Sequence, residues 1–371
     1  MAPLVLTLVV LLPVTFAIWN LVCLVKNYRI ALTIGIPIRI LVASGDNPVW
    51  ILASGIVFPI VKAVFGDCDI VRYSKPGWEF KDKYTMHQKL SNAVIHVSAG
   101  RNWLYLCDTD SVNEVFKHKD DFDRPPDLLA VLSVFGPNIS KAAGPDWQRQ
   151  RKITSAPSND KNTRLVWIEG LRQADEILQF WKSLKGPITR TDKDTRTFSL
   201  HLETVRLYNP LIGICKSTFE RPQPLTVDGR TISIPPGTRI IANSNALHSH
   251  PRYWGNNSLE WHPQSWILTK AENTHSSPIE REYVRVPPKR SYQPWSDSIR
   301  ACPGKKSSQV EFVAAMVSLF KRNRVEIVRE EGEIEEEAKK RVMSVVKDNV
   351  IVLLLQMRSP EKVSVRWVSG V

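Results

Sequence analysis

The chain has 371 residues, of which 43% are hydrophobic and 23% are charged, a composition typical of a globular protein and unlike that of a disordered chain. A formal net charge of +13 allows a nucleic acid, an acidic membrane surface or an acidic protein as partner. Because no zinc-finger or helix-turn-helix pattern and no basic run with interleaved aromatic residues occurs, we expect no nucleic-acid partner. The five cysteines follow neither a metal-binding spacing nor a disulfide framework.

The N-terminal segment is strongly apolar, since residues 3–25 contain no charged side chain. At about 1.5 Å per residue, a helix of this length crosses the ~30 Å hydrocarbon core of a membrane. Lys26 and Arg29 follow, and basic residues at this end place the rest of the chain in the cytosol. A cleaved signal peptide is the alternative, although no basic residue precedes the apolar run. We therefore predict a transmembrane signal anchor at residues 1–25 and one cytosolic domain at residues 26–371.

A second apolar region covers residues 48–65. Gly55 and Pro59 interrupt its pattern, because both residues disfavour the interior of a helix. We expect this region to dip into the membrane interface or to pack on the fold.

Two short patterns mark helices in the middle of the chain. Trp147 and Arg151 are four residues apart and share one face of a predicted helix that opens at Pro145. Glu203 and Arg206 are three residues apart and form a second such pair. Alone, the first pattern is compatible with ordinary surface packing, and the second with an exposed ion pair worth less than ~1 kcal/mol.

Between these pairs, residues 162–182 predict one amphipathic helix with an apolar stripe formed by Ile168, Leu171, Ala174, Leu178 and Trp181. Residues 225–234 alternate around Asp228-Gly229, which predicts a β-hairpin. Residues 235–238 predict a turn into a further strand at residues 239–242.

The segment 294–304 contains the most informative residue, Cys302, which lies between Arg300 and the Pro303-Gly304 turn at the start of a predicted helix. Backbone N–H groups at such a turn and the positive end of a helix dipole favour a thiolate. A thiolate held in this way is suited to be an axial ligand of haem iron. Taken alone, the segment is also compatible with a buried structural cysteine.

In sequence order, the Trp147–Arg151 pair, the Glu203–Arg206 pair, residues 261–266 and residues 294–304 resemble the motifs of cytochrome P450, a membrane-bound haem-thiolate monooxygenase of the fungal microsomal type. The resemblance extends from about residue 30 to the C-terminus. It implies a mainly α fold with small β-sheets (α+β), behind the N-terminal transmembrane helix. It also implies haem b (iron protoporphyrin IX) as cofactor and electrons from NADPH, delivered by NADPH–cytochrome P450 reductase.

The resemblance assigns a role to each motif residue. Cys302 is the catalytic residue and the axial ligand of the haem iron, and Gly304 belongs to the cofactor site. Further residues hold the haem propionates or brace the core: Arg300, Trp147 and Arg151 for the propionates, Glu203 and Arg206 for the core. The implied substrate is a small hydrophobic organic molecule, and the implied location is the endoplasmic reticulum membrane, single-pass, with the catalytic domain in the cytosol.

Three positions depart from the family pattern. Trp295 stands where a Phe is usual, and Ser298 stands where a Gly is usual. A serine there costs roughly 1–2 kcal/mol if the backbone is left-handed. Ser265 replaces the arginine that normally completes the network of Glu203 and Arg206, so we expect that buried pair to be incompletely satisfied.

The interval between Arg151 and Glu203 is too short for a complete family member. Such members carry several helices there, including a distal helix with an Ala/Gly-Gly-x-Asp/Glu-Thr motif whose acid and hydroxyl relay protons. No matching string occurs in this chain. We therefore predict an internal deletion near residues 199–202, of the kind that a skipped exon or an erroneous gene model leaves.

Two hypotheses follow. In the first, the chain belongs to a working monooxygenase of secondary or xenobiotic metabolism. In the second, which the missing helix favours for this polypeptide, it is a non-catalytic truncated isoform or an incomplete gene model. An unrelated membrane-tethered binding protein would require four ordered motifs to coincide by chance.

Overall fold

The computed structural model describes residues 2–41, 43–44, 47–75, 77–125, 127, 136–183, 194–270, 281–351 and 354–369. The helices are α1 Ala2–Leu32, α2 Pro48–Phe65, α3 Asp69–Ser74, α4 Trp78–Asp82, α5 Thr85–Lys89, α6 Thr109–Lys117, α7 Gly144–Ser155, α8 Asp160–Ser183, α9 Asp194–Leu207, α10 Ser244–Leu247, α11 Pro251–Trp254, α12 Lys305–Phe320 and α13 Glu335–Lys347. The strands are β1 Ile38–Ile40, β2 Ala93–Val97, β3 Asn102–Leu106, β4 Phe122–Asp123, β5 Ile214–Thr218, β6 Gln223–Val227, β7 Arg230–Ile234, β8 Arg239–Ala242, β9 Ile267–Thr269, β10 Glu282–Val284, β11 Asn323–Ile327, β12 Asn349–Ile351, β13 Leu355–Met357 and β14 Val365–Ser369. Helices with small sheets confirm the predicted α+β class.

The chain forms two compact units, each assembled from three segments. The sheet unit comprises Met1–Gly136, Ile212–Gly255 and Lys289–Gln293. The helical unit comprises Pro137–Leu211, Asn256–Pro288 and Pro294–Val371. The stretch that the sequence assigns to one haem domain, residues 26–371, therefore contributes to both units, and its unity as a domain stays a prediction.

A six-stranded sheet organises the sheet unit, with the strand order β1-β2-β3-β8-β5-β4. Every residue of β2 and β3 is buried, and Ile95 lies opposite Leu104 in their antiparallel register. β3 then pairs in parallel with β8. The runs of apolar residues in these strands explain this burial, because each large side chain removed from water stabilises the fold by about 1.5–3 kcal/mol.

The predicted hairpin is confirmed as β6 and β7, which pair in antiparallel register with Val227 opposite Arg230. The turn residues Asp228 and Gly229 have φ angles of 50° and 74°. Two consecutive positive φ angles are those of a type I′ turn, whose twist matches that of the flanking strands.

A buried carboxyl group lies beside β3. The Tyr105 hydroxyl donates to Glu79 Oε1 at 3.0 Å, and Glu79 is 6% exposed. Burial raises the pKa of Glu79 to about 7, because it penalises the charged form more than the hydrogen bond from Tyr105 favours it. This carboxyl group is therefore poised between its neutral and charged forms near neutral pH.

In the helical unit α8 and α12 pack side by side in the same direction. Lys306 pairs with Asp160 near their N-termini, and further along the Ser318 hydroxyl donates to the Leu171 carbonyl at 3.3 Å. Gly170 permits close approach, since a Cβ atom there would lie 3.1 Å from the Cβ atom of Ala314.

α8 confirms the helix that the sequence predicts at residues 162–182. Two members of the predicted apolar stripe, Ala174 and Leu178, are buried, but Ile168 is 53% exposed, so its assignment to the buried face is wrong. The Trp181 side chain lies outside the described residues.

At the N-terminus the backbone of α1 is helical from Ala2 to Leu32. Among the described residues, no helix has both the length and the apolar character needed to span a membrane. The predicted anchor at residues 1–25 lies in part outside the residues whose side chains are described.

The second apolar region forms one continuous helix, α2, so the expectation that Gly55 and Pro59 interrupt it is wrong. Asn47 is the N-cap residue of this helix, because its side chain accepts a hydrogen bond from the Trp50 backbone N–H. The Trp50 indole N–H donates to the Ser74 carbonyl of α3 at 2.8 Å. Both bonds hold the first turn of this helix.

Candidate functional site

The cysteine loop, residues 294–304, is closed by its own backbone. The Cys302 N–H donates to the Trp295 carbonyl at 2.8 Å, and the Asp297 side chain accepts from the Ser298 N–H at 2.5 Å. A short 3₁₀ turn at Ser298–Arg300 precedes the cysteine. The Cys302 thiol is exposed at the N-terminus of α12. The alternative of a buried structural cysteine is therefore wrong.

The loop contains strained backbone. Ser296 and Ser298 have φ angles of 63° and 64°, in the left-handed region. This confirms the conformation considered for Ser298, where an L-residue with a side chain costs about 1–2 kcal/mol relative to a right-handed conformation. The hydrogen bonds that close the loop hold this geometry.

Arg300 and Trp147 lie together. The Arg300 guanidinium carbon is 4.3 Å from the centre of the Trp147 ring, a cation–π arrangement. Arg300 Nη1 also donates to the Ala142 carbonyl at 2.9 Å, and the residue is 8% exposed. α7 and the cysteine loop are thereby joined through a buried cation.

Arg151 lies one helical turn beyond Trp147 on α7. Its Nη1 atom donates to the Ala301 carbonyl at 2.6 Å, immediately before the cysteine. The shared face that the sequence predicts for Trp147 and Arg151 is therefore the face that contacts the cysteine loop. The structure brings these two residues, Arg300 and Cys302 together in the helical unit.

Gly304 leaves room beside the sulfur. A Cβ atom at this position would meet only Cys302 Sγ, at 3.8 Å. The φ angle of −81° does not require glycine. The small residue thus keeps one side of the sulfur atom open.

The Glu203–Arg206 pair is buried, with side-chain exposures of 0% and 4%. Arg206 Nε and Nη2 donate to the two Glu203 oxygens at 2.6 and 2.8 Å. Arg206 Nη1 also donates to the Ser258 carbonyl at 2.6 Å, and Nη2 to the Glu260 carbonyl at 3.2 Å. The exposed ion pair that the spacing alone allowed is therefore excluded.

Two further donors complete the carboxylate shell. The His262 backbone N–H donates to Glu203 Oε1 at 2.9 Å, and the Trp266 indole N–H donates to Oε2 at 2.8 Å. The expectation that the pair is incompletely satisfied without an arginine at Ser265 is wrong, because these donors occupy both carboxylate oxygens. Burial raises the pKa of Glu203, but the hydrogen bonds and the charge of Arg206 outweigh it and hold that pKa below its usual value.

Trp295 and His201 connect the loop to the helices behind it. The Trp295 indole N–H donates to the Ser308 hydroxyl on α12 at 3.0 Å. The His201 ring on α9 lies 5.5 Å from the Trp295 ring and 4.3 Å from the Phe312 ring. Burial lowers the pKa of His201 to about 4. The sequence offers an aromatic residue at position 295 as a signal, but nothing in it indicates a role for His201.

Comparison with known proteins agrees with this geometry. The family model described as Cytochrome P450 matches residues 201–354, which include Glu203, Arg206 and Cys302. A cytochrome P450 monooxygenase of Arthrobotrys oligospora is 28% identical over 188 residues, 48% of this chain and 32% of the relative. A cytochrome P450 monooxygenase of Penicillium rubens is 27% identical over 139 residues, 37% of this chain and 23% of the relative.

A phomenoic acid biosynthesis cluster cytochrome P450 monooxygenase of Leptosphaeria maculans is 30% identical over 163 residues, 39% of this chain and 26% of the relative. The chain thus spans about a third or less of the length of these curated relatives. The residues matched by the family model contain the buried Glu203–Arg206 pair and the exposed Cys302, which lie in one compact unit. Residues 201–354 of the chain are therefore similar to the cytochrome P450 family, and the relatives that the chain matches are cytochrome P450 monooxygenases.

Proposed function

We propose that this chain binds haem b through the Cys302 thiolate and acts as a haem-thiolate monooxygenase on a small hydrophobic organic substrate. The observation that carries the proposal is the exposed Cys302 sulfur at the start of α12, with Arg300, Trp147 and Arg151 grouped beside it. A sulfur donor with adjacent cationic side chains fits a cofactor that has an iron centre and two carboxylate arms.

Each residue has a task in this proposal. Cys302 would hold the haem iron through its thiolate, and Gly304 leaves the space beside its sulfur. Arg300 and Arg151 provide N–H donors for the propionates, and Trp147 holds the Arg300 guanidinium in place. The Glu203–Arg206 network fixes α9 against the segment Ser258–Trp266.

Haem, when bound, supplies the activation of dioxygen, so that one oxygen atom enters the substrate and the other leaves as water. NADPH provides the two electrons through NADPH–cytochrome P450 reductase. The name of the Leptosphaeria maculans relative refers to a biosynthesis cluster, which favours a role in secondary metabolism for this chain as well. The uncharged run at residues 3–25 supports a single-pass anchor in the endoplasmic reticulum membrane with the catalytic part in the cytosol.

A second candidate function is that of a non-catalytic truncated form. It is favoured by the short interval between Arg151 and Glu203, which α7, α8 and the start of α9 already occupy. The predicted deletion near residues 199–202 falls in α9, and the distal motif is absent from the sequence. In this case Cys302 and its neighbours form a proximal half-site that lacks the distal helix needed for turnover.

The experiment is haem reconstitution of the purified chain, followed by the carbon monoxide difference spectrum after reduction. A thiolate-type spectrum that disappears in Cys302→Ser and persists in Cys68→Ser supports the proposed ligand, since Cys68 is also exposed but lies in the sheet unit. A spectrum that survives in Cys302→Ser contradicts it. A thiolate spectrum without substrate oxidation, when reductase and NADPH are present, favours the non-catalytic candidate.

Sequencing the transcript across codons 190–210 distinguishes an incomplete gene model from a genuine deletion between Arg151 and Glu203. An additional coding segment before Glu203 that contains the Ala/Gly-Gly-x-Asp/Glu-Thr motif identifies an incomplete gene model of an active enzyme. A transcript that matches the present sequence establishes a genuine deletion, and we then expect no turnover.

A further inference from the structure

The short helix α4 covers an aromatic cluster on the sheet of the sheet unit. Its residues Trp78 and Phe80 are buried. The centre of the Trp78 ring lies 4.9, 5.0 and 5.1 Å from the ring centres of Tyr73 on α3, His96 on β2 and Tyr105 on β3. These contacts between large side chains hold α4 closed on the sheet.

Glu79 lies between these two aromatic residues in the sequence and is buried with them. Its Oε1 atom accepts the hydrogen bond from the Tyr105 hydroxyl, but its Oε2 atom is buried and has no hydrogen-bond partner among the described residues. An ionised carboxylate is costly in apolar surroundings unless several donors surround it. The closed position of α4 therefore accommodates a neutral carboxyl group better than a charged one.

The backbone on both sides of α4 is suited to movement. Gly77, immediately before the helix, has a φ angle of 78°, which glycine adopts without penalty. Lys83, immediately after it, has a φ angle of 55° and a ψ angle of −113°, a combination that strains a residue with a side chain. The five residues of α4 thus lie between a flexible residue and a strained one, and outward movement of the helix relieves the strain.

We propose that α4 is a proton-controlled cover, which stays closed while the Glu79 carboxyl is neutral and turns outward about Gly77 and Lys83 when that carboxyl ionises. In the open form, water reaches the charged carboxylate and the rings of Trp78 and Tyr105 become accessible. Local opening of this kind occurs within a folded protein and does not require the rest of the sheet unit to unfold.

The other titratable rings around α4 keep one charge state between pH 5.5 and 8. They are Tyr73 on α3, His87 on α5, His96 on β2 and Tyr105 on β3. Burial raises the pKa of Tyr73 to about 12 and lowers the pKa values of His87 and His96 to about 4 and 3. Burial also raises the pKa of Tyr105 well above its ordinary value of 10. None of these rings therefore competes with Glu79 for the control of α4.

The charged and thiol side chains that face the cluster are Arg39 on β1, Asp69 on α3, Asp82 on α4 and Cys215 on β5. Asp82 accepts hydrogen bonds from the Tyr73 hydroxyl at 3.1 Å and the Met86 backbone N–H at 2.8 Å. Asp69 pairs with Arg39. α10 also packs on α4 and contains no titratable side chain. Both aspartates have partners in the closed form, whereas one oxygen of Glu79 has none.

The direction and size of the pH effect follow from the Glu79 carboxyl. Burial raises its pKa from the ordinary value of 4.5 to about 7 in the closed form. The closed form therefore holds the proton more tightly, is favoured at acidic pH and loses this advantage as the pH rises toward 7. If the hydrated carboxyl of the open form has the ordinary pKa, the ratio of open to closed form rises about 25-fold between pH 5.5 and 8.

The test is hydrogen exchange of the purified full chain in detergent micelles at pH 5.5 and 8, with each rate corrected for intrinsic exchange at that pH. We expect peptides from α4 to exchange about 25-fold faster at pH 8, and peptides from α6 in the same unit to show no such rise. Glu79→Gln is expected to abolish the rise. Glu220→Gln, which removes an exposed carboxyl of the same unit, is the matched control and is expected to keep it. No rise in the wild type, or the same rise in Glu79→Gln, overturns the proposal.

Tyr105→Phe provides a second test that separates titration from loss of packing. The Tyr105 hydrogen bond favours the charged form of Glu79, so its removal raises the pKa of Glu79 in the closed form further. We therefore expect the rise in α4 exchange between pH 5.5 and 8 to become larger than in the wild type. If Tyr105→Phe instead speeds exchange by the same factor at both pH values, the variant only loosens the packing and the proposal is wrong.

Discussion

Replacement of Glu203 by glutamine tests whether the buried network holds the helical unit together. The carboxylate accepts four hydrogen bonds, two from Arg206 and one each from His262 and Trp266. Glutamine has the same shape, but an NH2 group replaces one of the two carboxylate oxygens. This NH2 group is itself a donor, so it cannot accept the hydrogen bonds that the replaced oxygen accepted. The Arg206 charge also remains buried without its counter-ion. Removal of one partner of such a pair costs about 3–5 kcal/mol of unfolding free energy.

The measurement is urea unfolding combined with hydrogen exchange of peptides from α9, which reports on the helical unit alone. Glu169→Gln is the control, because Glu169 pairs with Arg172 on the exposed surface of α8 and its loss is expected to change little. If Glu203→Gln unfolds at the same urea concentration as this control, the reasoning about the buried pair is wrong.

The pH dependence provides an independent check of the same network. The folded-state pKa of Glu203 lies below its ordinary value, so the unfolded chain binds more protons at acidic pH. The stabilisation by this carboxylate is therefore complete above the ordinary carboxyl pKa and is lost as the pH falls through the depressed value. Glu203→Gln is expected to lack this part of the acid-induced loss.

Three further predictions concern single residues outside this network. Ser298→Gly is expected to raise the unfolding free energy by about 1 kcal/mol, because glycine adopts the left-handed backbone at φ 64° without penalty; a lower thermal midpoint would contradict this. The part of the unfolding free energy that Glu79 contributes is expected to fall by about 3 kcal/mol as the pH rises from about 4.5 to 7, since the folded pKa of Glu79 is raised to about 7; urea titrations at several pH values should show it as a change in the difference between the wild type and Glu79→Gln. Gly213→Ala is expected to cost about 1–3 kcal/mol in the same assay, because its Cβ atom would lie 2.6 Å from Ile241 Cγ2 and 2.9 Å from the Ala242 carbonyl oxygen, whereas Gly55→Ala, with nothing within 4 Å, should cause no loss.

Several elements of the fold could be predicted from local sequence patterns. The Asp228-Gly229 turn predicts a hairpin because few dipeptides accept two positive φ angles, and β6 and β7 pair there. The helix at residues 162–182 follows from its apolar period, and α8 confirms it. Local propensity was misleading at Gly55 and Pro59, because α2 continues through both residues.

The candidate site was also predicted only in part. The sequence alone identified Cys302, Trp147, Arg151 and the Glu203–Arg206 pair as site residues, because residue chemistry and helical spacing are visible in it. The tertiary structure decided that Arg300 lies over Trp147, and that Trp266 and the His262 backbone replace the missing arginine at Glu203. Such contacts join residues that are far apart in the chain. A local sequence pattern therefore cannot predict which donor will bind a buried carboxylate. For the same reason, only the packed structure could reveal that the apolar C-terminal half of α12 borders a groove.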